Sequence, residues 1–273
     1  MRLGVGVAAE FPPGTGGAAL GERRLYGRDG MRSPVVWDVL REVVAARVAQ
    51  TGREALDIVD AGGGTGGFAV PFAALGHRVT VVDPSPDALA AAQRRAAEVH
   101  VRLTAVQGDA DGLDGLVGES AADLVLCHSV LEYVDAPAAS MAAIARVLRP
   151  GATVSVLAAN AVAAVLHRAL AGRYTEAREL LLGIGPGGVA QREAPGTDVP
   201  RRFTLAGLTA LIESPGLRTG DAHGIRVFAG LLPAGAADAD AAAADALRAL
   251  EDAAAVYPAL RDIAARLHVL GHR

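Results

Sequence analysis

Five glycines crowd the six residues from Gly62 to Gly67, broken only by Thr65, directly after the stretch Leu56-Asp57-Ile58-Val59-Asp60-Ala61. A buried strand ending in such a loop turns sharply, and its backbone approaches a ligand with no side chain in between. The next strand-like stretch, Arg78 to Asp83, closes on an acid 21 residues after Gly62. An acid at that position accepts hydrogen bonds from both hydroxyls of a ribose. The chain is thereby confined to folds built around a strand, a glycine loop and a helix.

Two cofactor classes meet this geometry. Gly62, Gly64 and Gly67 satisfy the Gly-x-Gly-x-x-Gly dinucleotide pattern, with Asp83 at its acid position. Asp60 also opens an acid-x-Gly-x-Gly-x-Gly run through Gly66, the arrangement typical of S-adenosylmethionine (SAM) methyltransferases. A carboxylate in that loop suits a cofactor with an amino-acid head group and no pyrophosphate. The loop alone does not choose between the two classes.

The flanking rhythm predicts the rest of the fold. Apolar residues at helical spacing predict a helix over 34–50. Strands are then expected at 56–61, 78–83, 102–107, 123–127 and 153–157, alternating with helices at 68–75, 86–99 and 138–148. Arg149-Pro150-Gly151 is expected as a turn. Strands alternating with helices of this length imply a doubly wound, mostly parallel sheet with helices on both faces. Beyond it, helices are expected at 160–171, 175–182 and 205–213. Residues 217–223 and 225–232 are expected to form a closing antiparallel pair, making seven strands. A helical tail is expected from Asp238 to about Leu267, interrupted near Pro258. The domain reading follows. Residues 1–21 form an arm, and 22–232 form one α/β domain with a core at 55–158 and a substrate-side cap at 159–203. Residues 233–273 form a C-terminal helical extension.

Composition excludes several classes. At 273 residues and 51% hydrophobic, the chain is large enough for one generous core and too apolar for general disorder. It contains no lysine, so all its basic side chains are arginine. Charge is uneven: residues 56–159 carry 6 arginines against 12 acids, whereas 1–55 carry 8 against 6. No segment has the basic excess of a tight, non-specific nucleic-acid binder. A lone Cys127 excludes a disulfide framework and any multi-cysteine metal site, and no metal is expected. The absence of a long apolar run and of a signal pattern leads us to expect a cytoplasmic protein with no membrane span, monomeric or homodimeric.

Further motifs separate the cofactor classes. Gln107-Gly108-Asp109-Ala110-Asp111 ends the third strand with an acid and a small residue, where an adenine would lie. Asp123 to His128 leads into Ser129-Val130-Leu131-Glu132-Tyr133-Val134, and Val147-Leu148-Arg149-Pro150-Gly151 precedes the fifth strand. Together these resemble the class I SAM-dependent methyltransferases over about residues 55–158. The resemblance implies a Rossmann-like fold with SAM as cofactor.

A narrower resemblance spans about residues 24–270. Tyr26-Gly27, Met31-Arg32 and Trp37 precede the core, and His128 to Tyr133 lie within it. Asn160-Ala161, Leu170 to Tyr174, His223 to Phe228, and Tyr257-Pro258 with Ile263 to Val269 follow in order. This series is similar to the bacterial tRNA 5-carboxymethoxyuridine methyltransferase family, whose members methylate the side-chain carboxylate of a modified wobble uridine. The resemblance implies that Arg32, Gly62, Gly63, Asp83, Ala110, Asp111 and His128 line the SAM pocket, beside Asp60, Gly64 and Asp109 of the same motifs. It implies that Arg32 pairs with the methionine carboxylate, which a guanidinium fits bidentately. Arg226 is the residue expected to orient a substrate carboxylate, with Asn160 as a second donor. An ionised carboxylate is already a nucleophile, so no general acid or base is named.

The sequence also departs from that family. The loop from Gly183 to Arg192 carries one charge where the tRNA enzymes carry a lysine-rich stretch, and Ala159 stands where an aromatic is expected. A small-molecule acceptor therefore remains beside tRNA. A NAD(P) oxidoreductase lacks its Tyr-x-x-x-Lys pair here, and a SAM-binding fold without activity is the last alternative.

Overall fold

In a computed structural model, residues 34–190, 200–232 and 241–273 are described. Arg32, the arm at 1–21 and the Tyr26-to-Met31 motif lie outside the described residues. Seven strands form one sheet: β1 (Asp57–Ala61), β2 (Arg78–Asp83), β3 (Thr104–Gln107), β4 (Ala122–His128), β5 (Leu148–Ala159), β6 (Arg218–Ile225) and β7 (Arg266–His272). Their order is β3-β2-β1-β4-β5-β7-β6. The first five run parallel, and β7 and β6 join antiparallel at the far edge.

Helices cover both faces. On one, α1 (Pro34–Thr51), α2 (Ala69–Ala74) and α3 (Pro86–Glu98) bury Val36, Trp37, Leu40, Phe72 and Leu89 against Ile58, Val81 and Leu126. On the other, α4 (Leu113–Val117), α5 (Pro137–Val147) and α8 (Leu205–Glu213) bury Leu113, Met141, Ile144, Leu208 and Ile212 against Val59, Val125 and Val154. Adjacent residues of β1 and β4 thus point into different cores, which explains why neighbours such as Ile58 and Val59, or Leu124 to Leu126, are all apolar. A pair of helices, α6 (Ala161–Leu170) and α7 (Tyr174–Leu182), rises after β5.

The seven-stranded, mostly parallel sheet predicted from the alternation is present, but its closing edge differs from expectation. Residues 218–225 are one strand whose partner is 266–272, not 225–232. The expected helical extension at 233–273 contributes α9 (Ala241–Ala255) and the single turn α10 (Pro258–Arg261), then strand β7 between β5 and β6. Leu267 and Val269 face one core while His268 and Leu270 take the opposite side, a period of two buried on both faces. So short an apolar run does not reveal its period in the sequence. Arg149-Pro150-Gly151 is likewise not a separate turn: β5 begins at Leu148 and bulges there, with Gly151 at φ +72°.

The end of the sheet away from the glycine loop is tied by charge. Asp123, with no exposed side-chain surface, accepts from Arg47, Arg53, Arg149 and the Asp57 backbone N–H. Asp57 in turn pairs with Arg53, Arg78 and Arg149. Those guanidiniums outweigh the cost of partial burial and hold the Asp57 carboxyl at about 2. Its contribution to stability is therefore complete above the ordinary carboxylate value near 4. It should drain away as pH falls from there towards 2, which an acid-unfolding curve reads directly.

Candidate active site

Strand order reverses between β1 and β4, the switch point at which ligands gather in sheets of this kind. Register sets the carboxyl ends level: Ala61 lies opposite Val82 and Cys127, Asp83 opposite Gln107, and His128 opposite Leu157. The glycine loop and the Ser129 turn therefore face each other across one crevice.

Gly62 takes φ +71°, donates its N–H to Val82 O at 2.7 Å, and leaves no room for a Cβ beside Val130. A Cβ on Gly63 would lie 2.6 Å from the Asp60 carboxyl. The loop thus presses on Asp60 and keeps a bare backbone towards the crevice. Asp83 accepts the Gly64 N–H on Oδ2 and the Ser85 N–H on Oδ1, both at 2.9 Å. Each oxygen retains a lone pair for a further donor.

Two cavities meet at Gly62 and Ser129. One of about 340 Å³ is lined by Asp60, Gly62, Gly63, His128, Arg226 and Arg266, among others. The other, about 330 Å³, is lined by Gly62, Asp83, Gly108, Asp109, Ala110 and Tyr133, among others. Most of the residues expected from sequence are thus brought to one crevice. Gly64 contributes its N–H to Asp83. Asp111 stays exposed on the single 3-10 turn at Ala110–Gly112 and lines neither cavity.

Asn160 is the clear departure. It is buried, its Oδ1 caps α6 through Val162 N at 3.0 Å, and its Nδ2 donates to Asp262 O and Ala264 O at 2.9 and 2.8 Å. The amide is used up latching α6 to the chain just before β7. It has no donor left for a substrate, so its expected substrate role is withdrawn.

Electrostatics divide the titratable groups. Asp60 is 3% exposed, and burial with the nearby Asp83 charge raises its carboxyl to about 7. Burial, with a lesser effect from the Arg266 charge, pushes His128 down to about 3. Its ring is therefore neutral at any working pH and is no proton acceptor there. His128 Nε2 bonds Ser155 Oγ at 2.8 Å, Ser155 Oγ meets His268 Nε2 at 2.7 Å, and Phe68 packs edge-on at 4.8 Å between centroids. The ring is a fixed wall.

Three positions escaped the sequence reading. Arg266, at the start of β7, bonds Ser129 Oγ and Glu132 Oε1, the latter at 3.2 Å. Buried Glu132 also accepts the Ala159 N–H at 2.9 Å, and burial raises its carboxyl. Ser155 joins His128 to His268. Glu132 lies inside the Ser129-to-Val134 motif, as an acid after the apolar Val130-Leu131. Arg266 lies within the Ile263-to-Val269 stretch, but its partners stand more than 130 residues earlier, so no local pattern gives it a role. The arrangement holds Ser129 at φ +60°, a costly backbone shape in a non-glycine residue, where both cavities meet. Arg226 has the same left-handed shape, φ +59°, and lines the first cavity. It is exposed, and its guanidinium makes no hydrogen bond or ion pair with another described residue.

Comparison with known proteins places this geometry. Residues 59–156 match the family model of a methyltransferase domain. Over 160 residues the chain is 32% identical to tRNA 5-carboxymethoxyuridine methyltransferase of Escherichia coli K12, covering 56% of this chain and 58% of that protein. Over 166 residues it is 32% identical to ubiquinone biosynthesis O-methyltransferase of Xanthomonas campestris pv. campestris, covering 59% and 66%. The chain thus spans less than two thirds of the length of these relatives. Magnesium protoporphyrin IX methyltransferase from Synechocystis PCC 6803 superposes with a TM-score of 0.53 at 17% identity, over 94% of this chain and 95% of that one. A SAM-dependent methyltransferase from Mesorhizobium loti gives 0.52 at 21%, over 84% and 96%. These two share the fold.

Proposed function

We propose that the chain is a class I SAM-dependent methyltransferase and that it transfers the methyl group of SAM to a carboxylate acceptor. The observation that carries the reading is Arg226: a guanidinium with no hydrogen-bond or ion-pair partner among the described residues, on the wall of the cavity that also holds Asp60, the glycine loop and His128. The residues present fit the cofactor. Bare backbone at Gly62 and Gly63, a buried acid at Asp60 and the half-used Asp83 carboxylate match a nucleoside joined to an amino acid. SAM supplies an electrophilic methyl on a sulfonium.

In this reading Asp83 accepts the ribose hydroxyls, Gly108, Asp109 and Ala110 flank the adenine, and Asp60 faces the ammonium of the methionine part. Asp111 keeps at most an outer place beside the adenine. Arg32 is proposed for the methionine carboxylate. Arg226 aligns the acceptor, and alignment is what a reaction between an ionised carboxylate and a sulfonium most needs. A neutral His128 confines the space without exchanging a proton.

A cation beside Asp60 favours its ionised form, so binding near pH 6 should release about one proton. SAM affinity should rise with pH up to about 7 and level off above it, because the empty site holds Asp60 protonated below that value. Calorimetry in two buffers of different ionisation heat measures the proton. No release at pH 6 contradicts the Asp60 assignment. The same linkage acts on stability. The cost of ionising Asp60 sets in above about pH 4 and is complete above 7, so Asp60→Asn should be more stable than the parent at pH 8 and no more stable at pH 4.

Replacing Arg226 by alanine should leave SAM affinity unchanged and remove nearly all methyl transfer. Equal turnover in that variant would show the residue to be idle. Two acceptors fit the reading. A 5-carboxymethoxyuridine in tRNA is supported by the 32% identity to the Escherichia coli protein. A small-molecule acceptor is supported by the single charge in the loop at 183–192 and by equal identity to a ubiquinone biosynthesis O-methyltransferase.

A further inference from the structure

We propose that the cavity on the far side of Arg226, between α1 and α9, receives the body of the acceptor: a free acid bearing its carboxylate on a short arm of one aryl ring. The proposal rests on the carboxylate reading above and names the substrate class for the same site. This cavity measures about 200 Å³ and shares Ile225 and Arg226 with the glycine-loop cavity. The two cavities therefore adjoin at Ile225 and Arg226, and the proposal places the acceptor's carboxylate at that shared wall. Its volume lies below the roughly 300–1,000 Å³ of sites for drug-sized ligands, which suits a single ring and not a nucleotide.

The walls fit such a body. Val35, Ile225, Ala229 and Leu247 give the cavity an apolar wall for a ring. The lining carries two arginines and two acids, and the arginines are the groups that can meet an anion. Arg226 and Arg248 both line the cavity, and neither makes a hydrogen bond or ion pair with another described residue. Asp252 stands on the same wall. The second acid, Glu251, is already committed: it accepts the N–H groups of Val227, Phe228 and Ala229 at 2.8, 2.8 and 2.6 Å. Three amides converging on one carboxylate pin α9 to the turn after β6 and fix the backbone beside Arg226. The pocket is therefore built into the fold.

The test is calorimetric titration of the full-length protein, first with S-adenosylhomocysteine and then, once saturated, with phenoxyacetate and separately with 5-carboxymethoxyuridine. Leu247→Trp and Ala244→Phe place bulk on the α9 wall. Phenoxyacetate should bind the parent and bind both variants at least about tenfold more weakly, with S-adenosylhomocysteine affinity unchanged. Two variants guard against one that fails to fold. Phenoxyacetate binding that neither substitution alters, or no binding of either carboxylate, overturns the pocket. A nucleoside that binds where phenoxyacetate does not overturns the free-acid assignment. Failure of S-adenosylhomocysteine to bind the parent would instead strike the cofactor reading itself, so the two failures are told apart.

Discussion

Asp83→Ala should bind SAM about 5- to 150-fold more weakly, the 1–3 kcal/mol expected when a buried polar partner is stranded. The SAM-induced rise in melting temperature should shrink to match. Two effects combine. The variant loses the acceptor for the ribose hydroxyls, and it frees the Gly64 and Ser85 N–H groups, which Asp83 holds at 2.9 Å each. The glycine loop is shaped partly by that first bond, so the loss extends beyond one contact. Asp83→Asn keeps the size and one acceptor oxygen and should fall between parent and alanine variant. Calorimetric affinities for the three proteins decide the matter, and an unchanged value in Asp83→Ala would sink the ribose assignment.

The second large effect lies at the opposite end of the sheet. Asp123→Ala should cost about 3–5 kcal/mol of folding stability, the range for breaking a buried ion-pair network by removing one partner. Asp123 has no exposed side-chain surface and gathers Arg47, Arg53, Arg149 and the Asp57 N–H onto one carboxylate. Its loss unties α1 and β5 from the start of β4. Because the network sits away from the crevice, SAM affinity of the folded protein should not change. Urea unfolding gives the number. A loss below about 1 kcal/mol would mean that these pairs act as ordinary surface salt bridges.

Local chemistry made much of this fold legible. Arg78–Asp83 and Leu205–Glu213 have the bounds their patterns predict, because alternation and helical spacing there stand alone with clear ends. The glycine loop, Asp60 and Asp83 are likewise local, since a strand, its turn and the next strand lie within 30 residues. What stayed hidden depends on distant partners. Strand β7 is short, apolar on both sides and preceded by a helix, so nothing in it announces a strand until β5 and β6 flank it. Asn160 has the composition of a ligand donor, but the backbone at Asp262 and Ala264 takes both its amide hydrogens. Arg266 enters the site only because β7 inserts beside β5, opposite Ala159 in register. A sequence read along its length has no access to such pairings, and in this protein they shape the acceptor side of the crevice more than the cofactor side.

The most direct test of methyl transfer to a carboxylate uses purified protein, SAM labelled on its methyl group, and an extract of the source organism split into RNA and small-molecule fractions. Each labelled fraction is then treated with mild alkali. The proposed chemistry makes a methyl ester, so the transferred label should leave as methanol, and Arg226→Ala should transfer almost none. Label that survives alkali would mean an ether or an amine acceptor, and no transfer into either fraction would contradict the carboxylate reading outright.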